Sequence, residues 1–278
     1  SALKGAFVLC GMFLLFGTQI AFAQFDTKAY EHAGVSISLL DLSTGEDLVS
    51  QNAEQSLVPA STLKLITAAT ALELLKPDYQ FKTKLAYSGV IEKGILNGNL
   101  ILVGGGDPTL GSRYFNDDVY KVCNAWICAI KQKGITEIRG DLVLDASYFY
   151  PEAIPSRWLW EDLGNYYGAG VYALSCFDNY YILSFNSAKL GQTARIYSVE
   201  PKIEDLTFSV EATGSFNNSD SAYIFGGPNE WHKIVRGTIP ANRMDFSIKG
   251  AIPNPPQVVA KTLLKLLAEN SISVSGRI

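Results

Sequence analysis

Histidine is nearly absent from this sequence: His32 and His232 are the whole supply. Two imidazoles give a histidine-based metal centre or a Ser-His-Asp triad little to work with. Basic clusters are missing too. The 23 Lys and Arg residues are scattered among 27 acidic ones, for a net charge of -4. That distribution provides no electrostatic footprint for nucleic acid or for an anionic membrane surface. Cysteine is scarce, with Cys10, Cys123, Cys128 and Cys176 only. Cys123 and Cys128 fall on different sides of a predicted helix, a spacing that suits neither an internal bridge nor a zinc site, so buried free thiols are expected. The run Gly104-Gly105-Gly106 lacks the Gly-Lys-Ser/Thr of a phosphate loop and the spacing of a dinucleotide fingerprint. It reads as a strand-to-loop turn with Asp107 organising the loop. No cofactor and no metal are expected.

Long apolar runs are confined to the start of the chain. Lys4 forms a short positive region, Ala6 to Ile20 is apolar, and Ala21-Phe22-Ala23 supplies a small-x-small cleavage pattern. Residues 1–23 are therefore expected to be a signal peptide, with the mature chain beginning at Gln24. The run is short and wrongly flanked for a membrane span, and Cys10 comes too early in it for lipid attachment. No stable membrane anchor is expected, although the first residue is Ser rather than Met.

What the sequence does contain is ordinary globular material, 47% hydrophobic and 18% charged, enough for one large or two modest domains. Alternation predicts a strand over Val35 to Leu42, a turn at Ser43-Thr44-Gly45 and a second strand near Asp47 to Ser50. A helix is expected from Ser61 to Lys76, stopped by Pro77. Apolar residues occupy nearly every face of it, which predicts burial on most sides. Short strands follow from Phe81, with Asn97-Gly98 read as a hairpin turn. Further helices are predicted over Asp117 to Lys133 and Gln257 to Asn270, and a strand over Gly140 to Asp145. Residues 147–250 read as β-rich with long loops, their many aromatics serving core and surface packing.

The chemistry concentrates at Ser61-Thr62-Leu63-Lys64. Serine is a poor nucleophile until a base takes its proton, and a lysine desolvated enough to be partly neutral can be that base. Positions i and i+3 share a helix face, so Ser61 Oγ and Lys64 Nζ can meet without help from another element. First-turn amides can also point at an incoming carbonyl oxygen. S-x-x-K alone is weak, since Ser1-Ala2-Leu3-Lys4 matches as well. The plainer reading makes Ser61 a helix cap with an exposed lysine one turn on.

The longer run Leu57-Val58-Pro59-Ala60-Ser61-Thr62-Leu63-Lys64-Leu65-Ile66-Thr67-Ala68-Ala69 resembles the active-site segment of class C low-molecular-mass penicillin-binding proteins, the D-alanyl-D-alanine carboxypeptidase/endopeptidases. The likeness continues through Leu75 to Thr83, Asn99 to Leu110 and Ile138 to Phe149, and more loosely through Tyr167-Gly168-Ala169-Gly170. It implies an α+β fold with a split serine β-lactamase/transpeptidase-like domain. Residues 26–77 would be its N-terminal part, 78–254 a large β-rich insert, and 255–278 the start of a C-terminal return. Ser61 and Lys64 would be the catalytic nucleophile and base, peptidoglycan stem peptides the substrate, and β-lactams covalent inhibitors of the complete enzyme. The location implied is periplasmic or secreted, after cleavage near Ala23.

Such enzymes also need an S-D-N type motif and a K-T-G. Ser184-Phe185-Asn186 and Ser215-Phe216-Asn217 fit the first in letters but fall in the insert, and Lys261-Thr262 is followed by Leu263. None is expected to be the true motif. The 278 residues are accordingly expected to be an inactive N-terminal fragment, with a non-catalytic envelope module that binds peptidoglycan or a partner as the alternative.

Overall fold

The protein is described here from a computed structural model, over residues 32–115, 118–186 and 189–278; the expected signal sequence lies outside the described residues. The described residues form two compact units, divided between Tyr79 and Gln80.

In the first unit, β1 (Ile37–Leu40) pairs antiparallel with β2 (Asp47–Gln51). Asp41 shapes the connection by accepting hydrogen bonds from the Ser43 amide and hydroxyl and from the Thr44 amide. The bonds from Ser43 hold its carboxyl below the usual range. Helix α1 (Leu63–Leu75) follows, closed by Lys76 at φ +67 just ahead of Pro77. The helix, patterned for burial on most sides, is uncovered in this chain, as expected where the strands that would cover it are lacking. None of its residues is buried, and Leu65 and Leu74 are each 74% exposed. Apolar side chains on every face demand a covering layer on every side. A hairpin and one helix cannot provide it.

The second unit holds all the buried apolar residues among those described, from Leu96 to Ile272. One three-stranded sheet has the order β3 (Lys84–Tyr87), β6 (Leu100–Val103), β8 (Leu142–Asp145). A second runs β16 (Ser273–Val274), β7 (Glu137–Ile138), β5 (Ile95–Asn97), β4 (Val90–Glu92). Against these pack α2 (Val119–Gln132) and α3 (Pro255–Glu269), joining Leu96, Leu100, Ile127, Leu263 and Leu267 in one core. Asp118 caps α2 by accepting from the Tyr120 amide at 2.9 Å. Asn254 does the same for α3 with Gln257, and that helix begins at Pro255, two residues before its predicted start, because proline is at home in a first turn.

The aromatic-rich half is β-sheet, as its alternating runs predict. Strand β9 (Tyr180–Asn186) lies between β10 (Arg195–Glu200) and β15 (Phe246–Ala251). In the neighbouring sheet β14 (His232–Pro240) pairs with β11 (Thr207–Val210), β12 (Thr213–Ser215) and β13 (Ser221–Phe225). Tyr181, Leu183, Phe185, Ile224, Val235 and Ile239 are central to the core these sheets share.

One expectation changes here. Asn97-Gly98 is not the hairpin turn: β4 and β5 turn at Lys93-Gly94, both at positive φ, and Asn97-Gly98 leads from one sheet to the next. Gly98 is needed there because a Cβ on it would lie 1.9 Å from the Ser88 carbonyl oxygen. Residues 255–278 belong to the second unit. Val259, Ala260, Leu263 and Leu267 of α3 are fully buried there, and β16 pairs with β7.

Candidate active site

Ser61 stands in a tight 3-10 turn, Ala60–Thr62, immediately before α1. Pro59 starts the turn, and Thr62 closes on it twice, its amide donating to the Pro59 carbonyl at 3.0 Å and its hydroxyl to the same oxygen. Ala60 takes φ +45, a left-handed conformation that costs a residue with a Cβ about 1–2 kcal/mol. The cap position belongs to Thr62, which makes no side-chain capping bond. Ser61 is therefore not a helix cap, and its hydroxyl is left to another partner. That partner is Lys64, whose Nζ donates to Ser61 Oγ at 2.9 Å. Both residues are exposed in this chain.

The other candidate groups are occupied elsewhere. Ser184 Oγ lies 2.8 Å from Ser247 Oγ across the β9–β15 pair, and Ser215 Oγ donates to the Asn217 carbonyl at 3.4 Å. Lys261 lies in α3, ion-paired with Asp205, and Thr262 Oγ1 donates to the Val258 carbonyl. Asp107 accepts from the Thr109 amide at 2.9 Å and hydroxyl at 2.7 Å, closing the loop after the glycine run. That run lets two backbones come close. A Cβ on Gly104 would lie 2.5 Å from the Ala173 carbonyl oxygen, and one on Gly105 would lie 2.2 Å from that of Lys82.

Cys123 and Cys176 are buried free thiols and Cys128 is an exposed one. Burial, helped by Asp118, pushes the Cys123 thiol up to about 12, and burial raises that of Cys176 as well. Thiolate chemistry at neutral pH is closed to both. Among the described residues no group of three or more His, Cys, Asp or Glu is arranged to hold a metal ion. No described helix is long and apolar enough to cross a membrane.

The sequence profile of the D-Ala-D-Ala carboxypeptidase 3 (S13) family matches residues 18–278. A D-alanyl-D-alanine carboxypeptidase of Actinomadura sp. (strain R39) is 27% identical over 265 residues, covering 90% of this chain and 46% of that protein. The carboxypeptidase DacB of Haemophilus influenzae is 24% identical over 253 residues, covering 90% of this chain and 51% of its own length. The crystal structure of that protein, penicillin-binding protein 4, superposes with a TM-score of 0.71 over 87% of this chain and 52% of its own. A further crystal structure holds it in complex with a β-lactam. The chain thus spans about half the length of the curated relatives it matches.

Proposed function

Because the chain belongs to the D-Ala-D-Ala carboxypeptidase 3 (S13) family, we propose that it carries the nucleophile and base of a serine-type D-Ala-D-Ala carboxypeptidase/endopeptidase that trims peptidoglycan stem peptides. The observation that carries this reading is the 2.9 Å contact between Lys64 Nζ and Ser61 Oγ on the turn before α1. In the reaction, Lys64 in its neutral form takes the Ser61 proton as Oγ attacks the carbonyl between two D-alanines. The tetrahedral intermediate collapses with cleavage of the peptide bond, and the departing D-alanine amine collects a proton. Water then attacks the ester on Ser61, releasing the shortened peptide and restoring the hydroxyl. β-Lactams acylate the same oxygen by opening their ring, as befits relatives of a protein crystallised with one.

On this reading residues 26–77 are the nucleophile-bearing part of a split transpeptidase-like domain, in the envelope outside the cytoplasmic membrane after cleavage near Ala23. The exposed, largely apolar α1 supports that, because such a helix calls for a covering layer. The 278 residues contain neither S-D-N nor K-T-G, so the chain by itself is proposed to be inactive. Fluorescent penicillin tests both parts. A protein that includes the two missing motifs is expected to label on Ser61, and Ser61→Ala to label not at all. Lys64→Ala is expected to slow labelling by about 10²–10⁴-fold, the worth of general base catalysis. Labelling that survives Ser61→Ala overturns the nucleophile, and a stable Ser61 adduct on the 278-residue chain overturns the inactivity. The second reading, a non-catalytic envelope module, would hold for a protein that lacks both motifs throughout. In-frame S-D-N and K-T-G codons beyond codon 278 of the gene would eliminate it.

A further inference from the structure

The second unit contains a cleft that no part of the acyl-transfer chemistry uses. It is a shallow cleft, open to solvent, between α3 and the segment 202–205, with Trp231 and Tyr120 in its walls. Helix α3 presents Val258, Lys261, Thr262 and Lys265 to it, the i, i+3, i+4, i+7 face of a regular helix. Lys261 is accounted for: it pairs with Asp205, and its Nζ lies 5.2 Å from the Trp231 ring centroid. The rest of the polar lining is not. The side chains of Lys202, Lys265 and Glu204 have no ion pair or hydrogen bond among the described residues, and neither do the Tyr120 hydroxyl and the Trp231 indole N–H.

The open groups of the cleft are thus two ammoniums, two neutral donors and one carboxylate, set around an apolar floor of Trp231 and Val258. A ligand that complements this set brings two anionic groups, one cation and a short body with apolar surface. A free phosphate does not, because Glu204 opposes it and the aromatic wall gives it nothing to bury. We infer that the cleft binds the acidic, amine-bearing end of a short peptide, its two carboxylates on Lys202 and Lys265 and its ammonium on Glu204. The choice of a peptide rests on the carboxypeptidase reading; the charge complement does not.

The test follows the Trp231 indole N–H resonance of the 278-residue chain by NMR, assigned by its loss in Trp231→Phe. The ligand is the free dipeptide Ala-Glu, which carries two carboxylates and one ammonium. A saturating shift is expected, with Kd rising about fivefold in Lys202→Gln/Lys265→Gln, as expected for two exposed charge pairs. The control Lys84→Gln/Lys93→Gln removes the same charge from exposed positions outside the cleft and should leave Kd unchanged. N-acetyl-Ala-Glu should bind more weakly than the free dipeptide, and Glu204→Gln should abolish that preference. No saturable shift, equal weakening in the control, or an equal response to inorganic phosphate overturns the inference. Penicillin labelling of Ser61 is read separately. Dipeptide binding, with no labelling of the protein that includes S-D-N and K-T-G, would sink the catalytic reading alone, and labelling of that protein without dipeptide binding would sink this one alone.

Discussion

Lys233 is 1% exposed, and its Nζ donates to the Gly226 and Gly227 carbonyls, both at 2.8 Å. Burial pushes its ammonium down to about 8, against some support from Glu230. In the unfolded chain a lysine titrates near 10.4, so between about pH 8 and 10.4 the unfolded state holds the extra proton. The contribution of Lys233 to stability therefore rises with pH across that window, by an amount on the order of 3 kcal/mol at most. Across denaturant melts at pH 7.5 and pH 10.5 the unaltered protein should gain more stability, or lose less, than Lys233→Met, since the raised Cys123 and Cys176 thiols act in the opposite direction in both; equal pH slopes in the two proteins would refute the account. The thiols supply a second residue-scale prediction. Iodoacetamide at neutral pH should modify Cys128 in the folded chain and reach Cys123 and Cys176 only after denaturation, read by peptide mass spectrometry. Rapid native labelling of Cys176 would show that its burial is wrong.

At the scale of elements, α1 and α3 look alike as strings of apolar residues and differ in what covers them. Leu65 and Leu74 of α1 are each 74% exposed, whereas Leu263 of α3 is fully buried. Leu65→Glu and Leu74→Glu are expected to change the stability of this chain by no more than about 0.5 kcal/mol. Leu263→Ala should cost about 2–5 kcal/mol, because a buried leucine leaves both lost transfer energy and a cavity. Thermal melts of the three variants check the contrast, and a large loss from Leu65→Glu would mean that α1 is packed in solution. The periodicity of α2 made it legible in advance. The hairpin before it was misread because Asn-Gly is a local turn signal, while the placing of Gly98 answers to a backbone distant in sequence, at Ser88.

For the molecule as a whole, the uneven distribution of core has a direct consequence. Since every buried apolar residue among those described lies between Leu96 and Ile272, residues 80–278 should fold alone with a cooperative melt. Residues 32–79 alone should not, having a hairpin and one uncovered helix. Circular dichroism melts of the two pieces test this, and a non-cooperative melt of 80–278 would contradict it. The family assignment also belongs to this scale, because it rests on a match running from residue 18 to 278 in order and on no single motif.

By itself the sequence determined what is local: the hairpin of the first unit, the three helices, the β-rich character of residues 147–250, and the i, i+3 spacing that brings Lys64 to Ser61. Each follows from contacts a few residues apart, where propensity, periodicity and covalent reach decide. Only the tertiary structure decided the rest. It placed 255–278 in the second unit, left α1 bare, gave the cap to Thr62 and drew Lys202, Glu204, Trp231 and Lys265 around one cleft. Burial and convergence of that kind depend on which distant surfaces meet, and a one-dimensional pattern of hydrophobicity holds no record of the partner.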